Sequence, residues 1–119
     1  DNKLVFDTLD KAVLENPNAH PLFHSDRGFQ YTSKLFKAKL DKQGMEQSMS
    51  RVGRCIDNGP MEGFWGILKC EMYYLNQFET YEKLASAVKQ FIYYYNHQRR
   101  QHKLNCLPPA TYRSLLEAA

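Results

Sequence analysis

The chain has 119 residues, 43% hydrophobic and 24% charged, the size and composition of one globular domain. No apolar run approaches the ~18 residues of a membrane span, and Asp1-Asn2-Lys3 does not resemble the start of a signal peptide. A cytoplasmic location follows by default, and one domain without membrane or small-molecule cofactor is the expectation; the net charge is +3. Cys55, Cys70 and Cys106 are odd in number and form no Cys-x-x-Cys pair; His20, His24, His97 and His102 do not complete a zinc-finger spacing with them. A disulfide framework and a structural zinc site are therefore not expected.

Residues 2–16 read as a helix, because Val5, Leu9 and Val13 recur at every fourth position with Phe6 and Leu14 beside them. Asn16-Pro17-Asn18 ends it. Residues 20–25 read as a short strand running into the turn Asp26-Arg27-Gly28, and helix followed by buried strand predicts an α/β layer. A helix over 32–43 follows, capped by Thr32 or Ser33, striped by Leu35, Phe36 and Leu40, and closed by Gly44. Residues 45–50 read as a second strand, and Arg51 to Asp57 as a mobile loop.

A third helix starts near Pro60, a residue suited to the first helical position because its missing N–H would be unpaired there. Met61, Trp65, Leu68 and Met72 are its expected buried face; Glu62, Gly66 and Lys69 share another. The next helix spans 80–97, with Leu84, Val88, Ile92 and Tyr95 as its stripe and Phe91 reinforcing it, and the last spans 109–118 after Pro108-Pro109. The expectation is two short strands with about five helices in one domain.

Charge is unevenly placed. From Lys83 to Leu116 there is no Asp or Glu, while Lys83, Lys89, Arg99, Arg100, Lys103 and Arg113 all fall there. A nucleic-acid surface and an ordinary solvated helix face both give this pattern, and charge alone leaves the two open. Asp26 and Glu62 are the other notable pair, with thirty-five residues between them. Asp26 falls at a strand's carboxyl end, where open α/β sheets bind ligands. Glu62 falls in the first turn of a helix. Taken singly, each is more often structural, a turn aspartate and a helix-dipole glutamate. Together they suit a Mg²⁺ site, which takes hard oxygen ligands. Two such ions about 3.5–4 Å apart can activate the attacking and stabilise the leaving oxygen of a phosphodiester.

The motifs carry a resemblance. His24-Ser25-Asp26-Arg27-Gly28-x-Gln30-Tyr31-Thr32-Ser33 resembles the second-aspartate motif of bacterial insertion-sequence transposases with a DDE catalytic core. Ser48-Met49-Ser50-Arg51-x-Gly53-x-Cys55-x-Asp57-Asn58-Gly59-Pro60-Met61-Glu62-x-Phe64-x-Gly66-x-Leu68-Lys69 resembles their glutamate motif. Tyr95-Asn96-x-x-Arg99, continuing to Pro109-x-x-Tyr112, resembles their carboxy-terminal signature, although Gln101 stands where the family often has histidine. The thirty-five-residue interval is typical of that group.

The resemblance implies a partial ribonuclease H-like α/β fold related to the retroviral integrases. It implies DNA cleavage and strand transfer with Mg²⁺ or Mn²⁺ in a two-metal site, which this chain alone is not expected to assemble. Asp26 would be the second catalytic aspartate and Glu62 the catalytic glutamate, both metal ligands. Lys69, Arg51, Arg54, Asn58, Arg99, Arg100 and Lys103 would contact DNA. The family's first catalytic aspartate lies on a strand upstream of the helix that opens this chain, and Asp1, Asp7 and Asp10 fall in or beside that helix. The chain would then be the carboxy-terminal part of an integrase core, with strands four and five present and the first three missing. Exposed sheet edges predict a homo-oligomer, and the lost bridging aspartate predicts that the chain alone is inactive. A non-catalytic DNA-binding remnant, with Tyr93, Tyr94 and Tyr95 beside the basic tail, is a second reading. A nonfunctional helical oligomer is a third.

Overall fold

The computed structural model describes residues 1–119. The order is α1 (Asn2–Glu15), β1 (Phe23–Ser25), α2 (Phe29–Thr32), α3 (Lys34–Lys42), β2 (Gln47–Met49), a 3₁₀ turn (Cys55–Asn58), α4 (Gly59–Leu68), a π-turn (Lys69–Tyr73), α5 (Tyr81–His97), a second 3₁₀ turn (His102–Leu104) and α6 (Pro109–Ala118). Six helices and a two-stranded parallel sheet make the chain α/β. It divides into two compact units, Asp1–Glu62 and Gly63–Ala119. No helix is long and apolar enough to cross a membrane.

In the first unit, Asp1 caps α1 by accepting from the Lys3 N–H at 2.9 Å. The i, i+4 stripe then turns Leu9 into a core with Phe36, Leu40 and Met45, flanked by Val5, Phe6, Val13, Phe23 and Tyr31. Phe36 is wholly buried, and its ring lies 5.6 Å from Phe6, 5.3 Å from Phe23 and 5.4 Å from Tyr31. Burial of such a side chain is worth roughly 1.5–3 kcal/mol, before the edge-to-face contacts are added.

The helix expected over 32–43 is present as α3, capped by Ser33, while the short α2 before it was not expected. Ser33 is extended (φ −70°, ψ 143°), which breaks the α ladder, and its hydroxyl accepts from the Phe36 N–H at 3.1 Å to start α3 afresh. Gly44 ends α3 in the left-handed region at φ +66°, where a Cβ is unfavourable. β1 and β2 are shorter than expected and pair in parallel, Phe23 with Gln47, His24 with Ser48 and Ser25 with Met49. The segment expected to be a mobile loop closes on itself: Asp57 is bound by Arg51, and 55–58 form a 3₁₀ turn.

In the second unit, Leu68, Met72 and Phe91 are buried among Phe64, Ile67, Phe78, Ala87, Val88 and Tyr95. Thr80 caps α5 by accepting from the Lys83 N–H at 3.2 Å, and α5 packs on α6. The buried arc of α4 differs from the expected one. Met61 stays 50% exposed and Trp65 45% exposed, while Phe64 and Ile67 turn inward beside Leu68. Met61, Phe64, Trp65, Ile67 and Leu68 make one broad apolar arc, so periodicity did not single out which part of it is covered. Ile92 is likewise more exposed than its stripe position suggested.

Phe36→Ala should destabilise the chain by about 3–5 kcal/mol, because it deletes a fully buried ring and leaves a cavity. Urea denaturation followed by circular dichroism measures this; a loss under about 1 kcal/mol would show that Phe36 does not organise this core.

Candidate functional site

The parallel register decides what stands at the carboxyl ends of the strands. Ser25 ends β1 and Met49 ends β2, so Asp26 and Ser50 emerge side by side, and the Ser50 N–H donates to the Ser25 carbonyl at 2.9 Å. The Arg27 Nε donates to the Ser50 carbonyl at 2.8 Å and ties the two strand ends together. His24 adds a cross-strand hydrogen bond, its Nδ1 lying 3.0 Å from the Ser48 hydroxyl.

Asp26 is exposed, and its Oδ1 accepts from the Gly28 N–H at 2.7 Å. That bond fixes the carboxylate and leaves Oδ2 for a ligand. A Cβ on Gly28 would stand 2.9 Å from the same Oδ1, so a side chain there would displace the Asp26 carboxylate. Glu62 lies in the first turn of α4 and joins none of the ion pairs. Asp26 and Glu62 both line one cleft of about 390 Å³, with Arg27, Ser50, Arg51, Gly53, Arg54, Cys55 and Asn58. Asn58 also carries an Oδ1 that is buried without a hydrogen-bond donor.

No further carboxylate joins them. Asp7 pairs with Lys3, Asp10 with Lys39 and Asp41 with Lys37, and nowhere do three or more His, Cys, Asp or Glu side chains gather as a metal-binding group. Asp57 is nearby in sequence but engaged. Its Oδ2 accepts from the backbone N–H and the Nε of Arg51, and its Oδ1 from Nη2, each at 2.9 Å. These side-chain hydrogen bonds, then the backbone one, hold its carboxyl well below the usual carboxylate range; the Arg51 and His24 charges add to this and desolvation opposes it.

The remaining residues singled out in the sequence have distinct places. Arg54 is exposed at the head of the 3₁₀ turn and lines the cleft. In the second unit Lys69 is exposed and opens the π-turn. Arg99 is committed: its Nε and Nη2 fork onto Glu71 at 2.6–3.0 Å, and its guanidinium lies 5.7 Å from the centre of the Tyr95 ring. This fork lowers the Glu71 pKa and raises that of Arg99. Arg100 and Lys103 are exposed on a loop closed by the Gln101–Leu107 bridge. Asn105 and Cys106 both take left-handed backbone there, at φ 54° and 60°, a strained arrangement for residues other than glycine. All the net charge belongs to this unit: residues 63–119 hold seven Lys and Arg against four Glu, whereas residues 1–62 balance nine against nine.

Arg27 and Ser50 are the site residues that sequence reasoning missed. Their signal was positional: one follows Asp26 directly, the other follows β2 as Asp26 follows β1.

The comparisons with known proteins agree in direction. Residues 62–115 match the family model described as an integrase core domain. An uncharacterized transposase-like protein of Haemophilus influenzae is 44% identical over 106 residues, covering 89% of this chain and 49% of that protein. An insertion element IS600 uncharacterized 31 kDa protein of Shigella sonnei is 39% identical over 100 residues, 83% of this chain and 37% of that protein. The transposase for insertion sequence element IS904 of Lactococcus lactis is 35% identical over 102 residues, 85% of this chain and 40% of that protein. The chain thus spans half or less of the length of these relatives. No solved structure matches it.

The pKa of Asp57 is depressed in the folded chain. The Arg51–Asp57 contribution is therefore full above the unfolded value near ~3.9 and is lost as pH falls through the lower folded value. The Arg51 amide resonance should hold its position from pH 7 to 4 and move only below about pH 3. An amide titration centred near pH 4 would contradict the pairing.

Proposed function

Because this chain belongs to the insertion-sequence transposases that carry an integrase core, we propose that it supplies Asp26 and Glu62 to a Mg²⁺- or Mn²⁺-dependent site for DNA cleavage and strand transfer. The observation that supports this reading most is the shared cleft of the two carboxylates at the carboxyl ends of parallel strands. On this reading β1 and β2 are two strands of a ribonuclease H-like sheet.

The donor set suits a hard divalent cation. Both carboxylates are oxygen ligands free of ion pairs, and the buried Asn58 Oδ1 lacks a donor that a metal-bound water would provide. Bound there, the cation would polarise a phosphodiester and lower the pKa of an attacking hydroxyl. The protein's own part is to hold Asp26 by the Gly28 N–H, to keep Glu62 in the lining of the same cleft, and to present the Arg54 charge to a phosphate there. Two carboxylates are one short of a triad, so a third has to come from outside these 119 residues. The isolated chain accordingly neither cuts nor joins DNA.

Lys69, Lys89, Arg100 and Lys103 are the exposed cations of the second unit that join no ion pair, and of these Lys69, Arg100 and Lys103 would meet the DNA backbone. Each strand of the two-stranded sheet has one unpaired edge. An apolar groove of about 350 Å³, lined by residues including Leu4, Val5, Leu9, Phe23 and Met45, lies on the same unit. Both favour association with another copy or with further parts of a longer protein. The unit-wide charge excess also suits a DNA-binding role without catalysis, which would show salt-dependent affinity indifferent to metal.

Mn²⁺ titrated into the protein and followed by the electron paramagnetic resonance of the free ion should show a site that Asp26→Asn or Glu62→Gln weakens at least tenfold. Uptake indifferent to both substitutions would sink the metal-site reading. Light scattering should find assemblies larger than one chain; a compact monomer with a cooperative melt would refute the association.

A further inference from the structure

The Arg51–Asp57 pair has no part in the proposed chemistry, yet it is the most fully bonded ion pair of the first unit. Both Asp57 oxygens are occupied, by three donors from a single residue at 2.9 Å. The ring it closes is short, seven residues from 51 to 57. Inside it the Arg54 N–H donates to the Arg51 carbonyl at 3.0 Å and the Asp57 N–H to the Arg54 carbonyl at 3.1 Å. Gly53 turns the chain at φ +70°.

The two ends of this ring abut the site. Arg51 follows Ser50, whose carbonyl is held by Arg27 beside Asp26. Asp57 precedes Asn58, which lines the cleft, and Glu62 follows one turn later. Ring closure therefore fixes where α4 begins relative to the end of β2. An Arg–carboxylate fork suits this role, because two parallel N–H···O bonds define an orientation as well as a distance.

We propose that Arg51 and Asp57 are positioning residues: their fork locks the loop from β2 to α4 and holds Asn58 and Glu62 in the wall of the Asp26 cleft, so that Arg51 serves the loop and not DNA. This rests on the reading of Asp26 and Glu62 as cation ligands. It assigns Arg51 differently from the DNA contact that the family resemblance implies. Asp57 is no candidate for the missing carboxylate while the fork stands, since it does not line the cleft.

The signs of the effects separate the fork from simple charge. As a point charge, Arg51 repels a cation, so Arg51→Gln alone would tighten Mn²⁺ binding. As a positioning residue, its loss weakens it. The test compares Arg51→Gln, Asp57→Asn, the double variant and Arg51→Lys in the full 119-residue chain, each first checked by thermal melt. Mn²⁺ affinity is read by electron paramagnetic resonance, and affinity for a short DNA duplex is read against salt.

Arg51→Gln and Asp57→Asn should each weaken Mn²⁺ about tenfold. The double variant should be no weaker than either, because one interaction is lost in all three. Arg51→Lys should not restore the wild-type affinity, since it keeps the charge and loses the fork. The salt slope for DNA should be unchanged in Arg51→Gln. Tighter Mn²⁺ binding in Arg51→Gln would overturn the proposal. So would tighter DNA binding in Asp57→Asn together with a slope reduced by about 0.9 in Arg51→Gln, the mark of a phosphate contact.

Should the wild-type chain take up no Mn²⁺, the metal reading fails by itself, and hydrogen exchange then decides the fork. The amides of Asn58 and Glu62 should exchange about tenfold faster in both single variants while those of Phe36 and Leu40 keep their rates, as expected of a local opening. Unchanged exchange at Asn58 and Glu62 would overturn the positioning role.

Discussion

The parallel pairing of β1 with β2 is the constraint on which the candidate site depends. Only three residues pair on each strand, Phe23 to Ser25 with Gln47 to Met49. Parallel strands end together, so their following residues, Asp26 and Ser50, lie side by side. A shift of one residue would turn the alternate face of β2 inward and displace Ser50 from Ser25. So short a ladder cannot hold its register alone. Arg27 on the Ser50 carbonyl, His24 on Ser48, and the Phe23 ring against Phe36 and Tyr31 hold it from three sides.

The carboxylates of the first unit divide into those that are spent and those that are free. Asp57 is neutralised by Arg51, and Asp7, Asp10 and Asp41 by lysines. Asp26 uses one oxygen on its own turn, and Glu62 has no cationic partner. Two carboxylates without cationic partners in one cleft are the kind of donors a hard divalent cation takes. The second unit repeats the division with the opposite sign: Arg99 is spent on Glu71, whereas Arg100 and Lys103 remain exposed. In both units the arginine with the best bidentate geometry holds structure together.

Much of the fold was legible from local pattern. The spans of α1, α5 and α6 follow from 3.6-residue periodicity and capping residues, which act within a few positions. The start of α3 was legible to within one residue, since Thr32 and Ser33 are equally good caps, whereas the single turn of α2 was not, being too short to show a periodic stripe. The inward arc of α4 escaped for a different reason. Met61, Phe64, Trp65, Ile67 and Leu68 form one broad arc of the helix, and their neighbours decide which of them are covered. The loop at 51–57 was expected to be mobile from its glycine and its lack of core residues. Nothing local shows that an arginine will fork onto an aspartate six positions on.

By itself the sequence determined the kinds of chemistry and where along the chain they stand: a carboxylate after a strand, another opening a helix, a basic tail, and motifs that place the chain among insertion-sequence transposases. These are properties of residue type and spacing, and they survive without a fold. The tertiary structure alone decided which charged groups remain available. Asp26 and Glu62 meet in one cleft while Asp57, Arg51 and Arg99 are consumed by partners. Availability depends on the distance and angle between side chains brought together by packing, and a hydrogen-bonded fork forms or fails within a few tenths of an ångström.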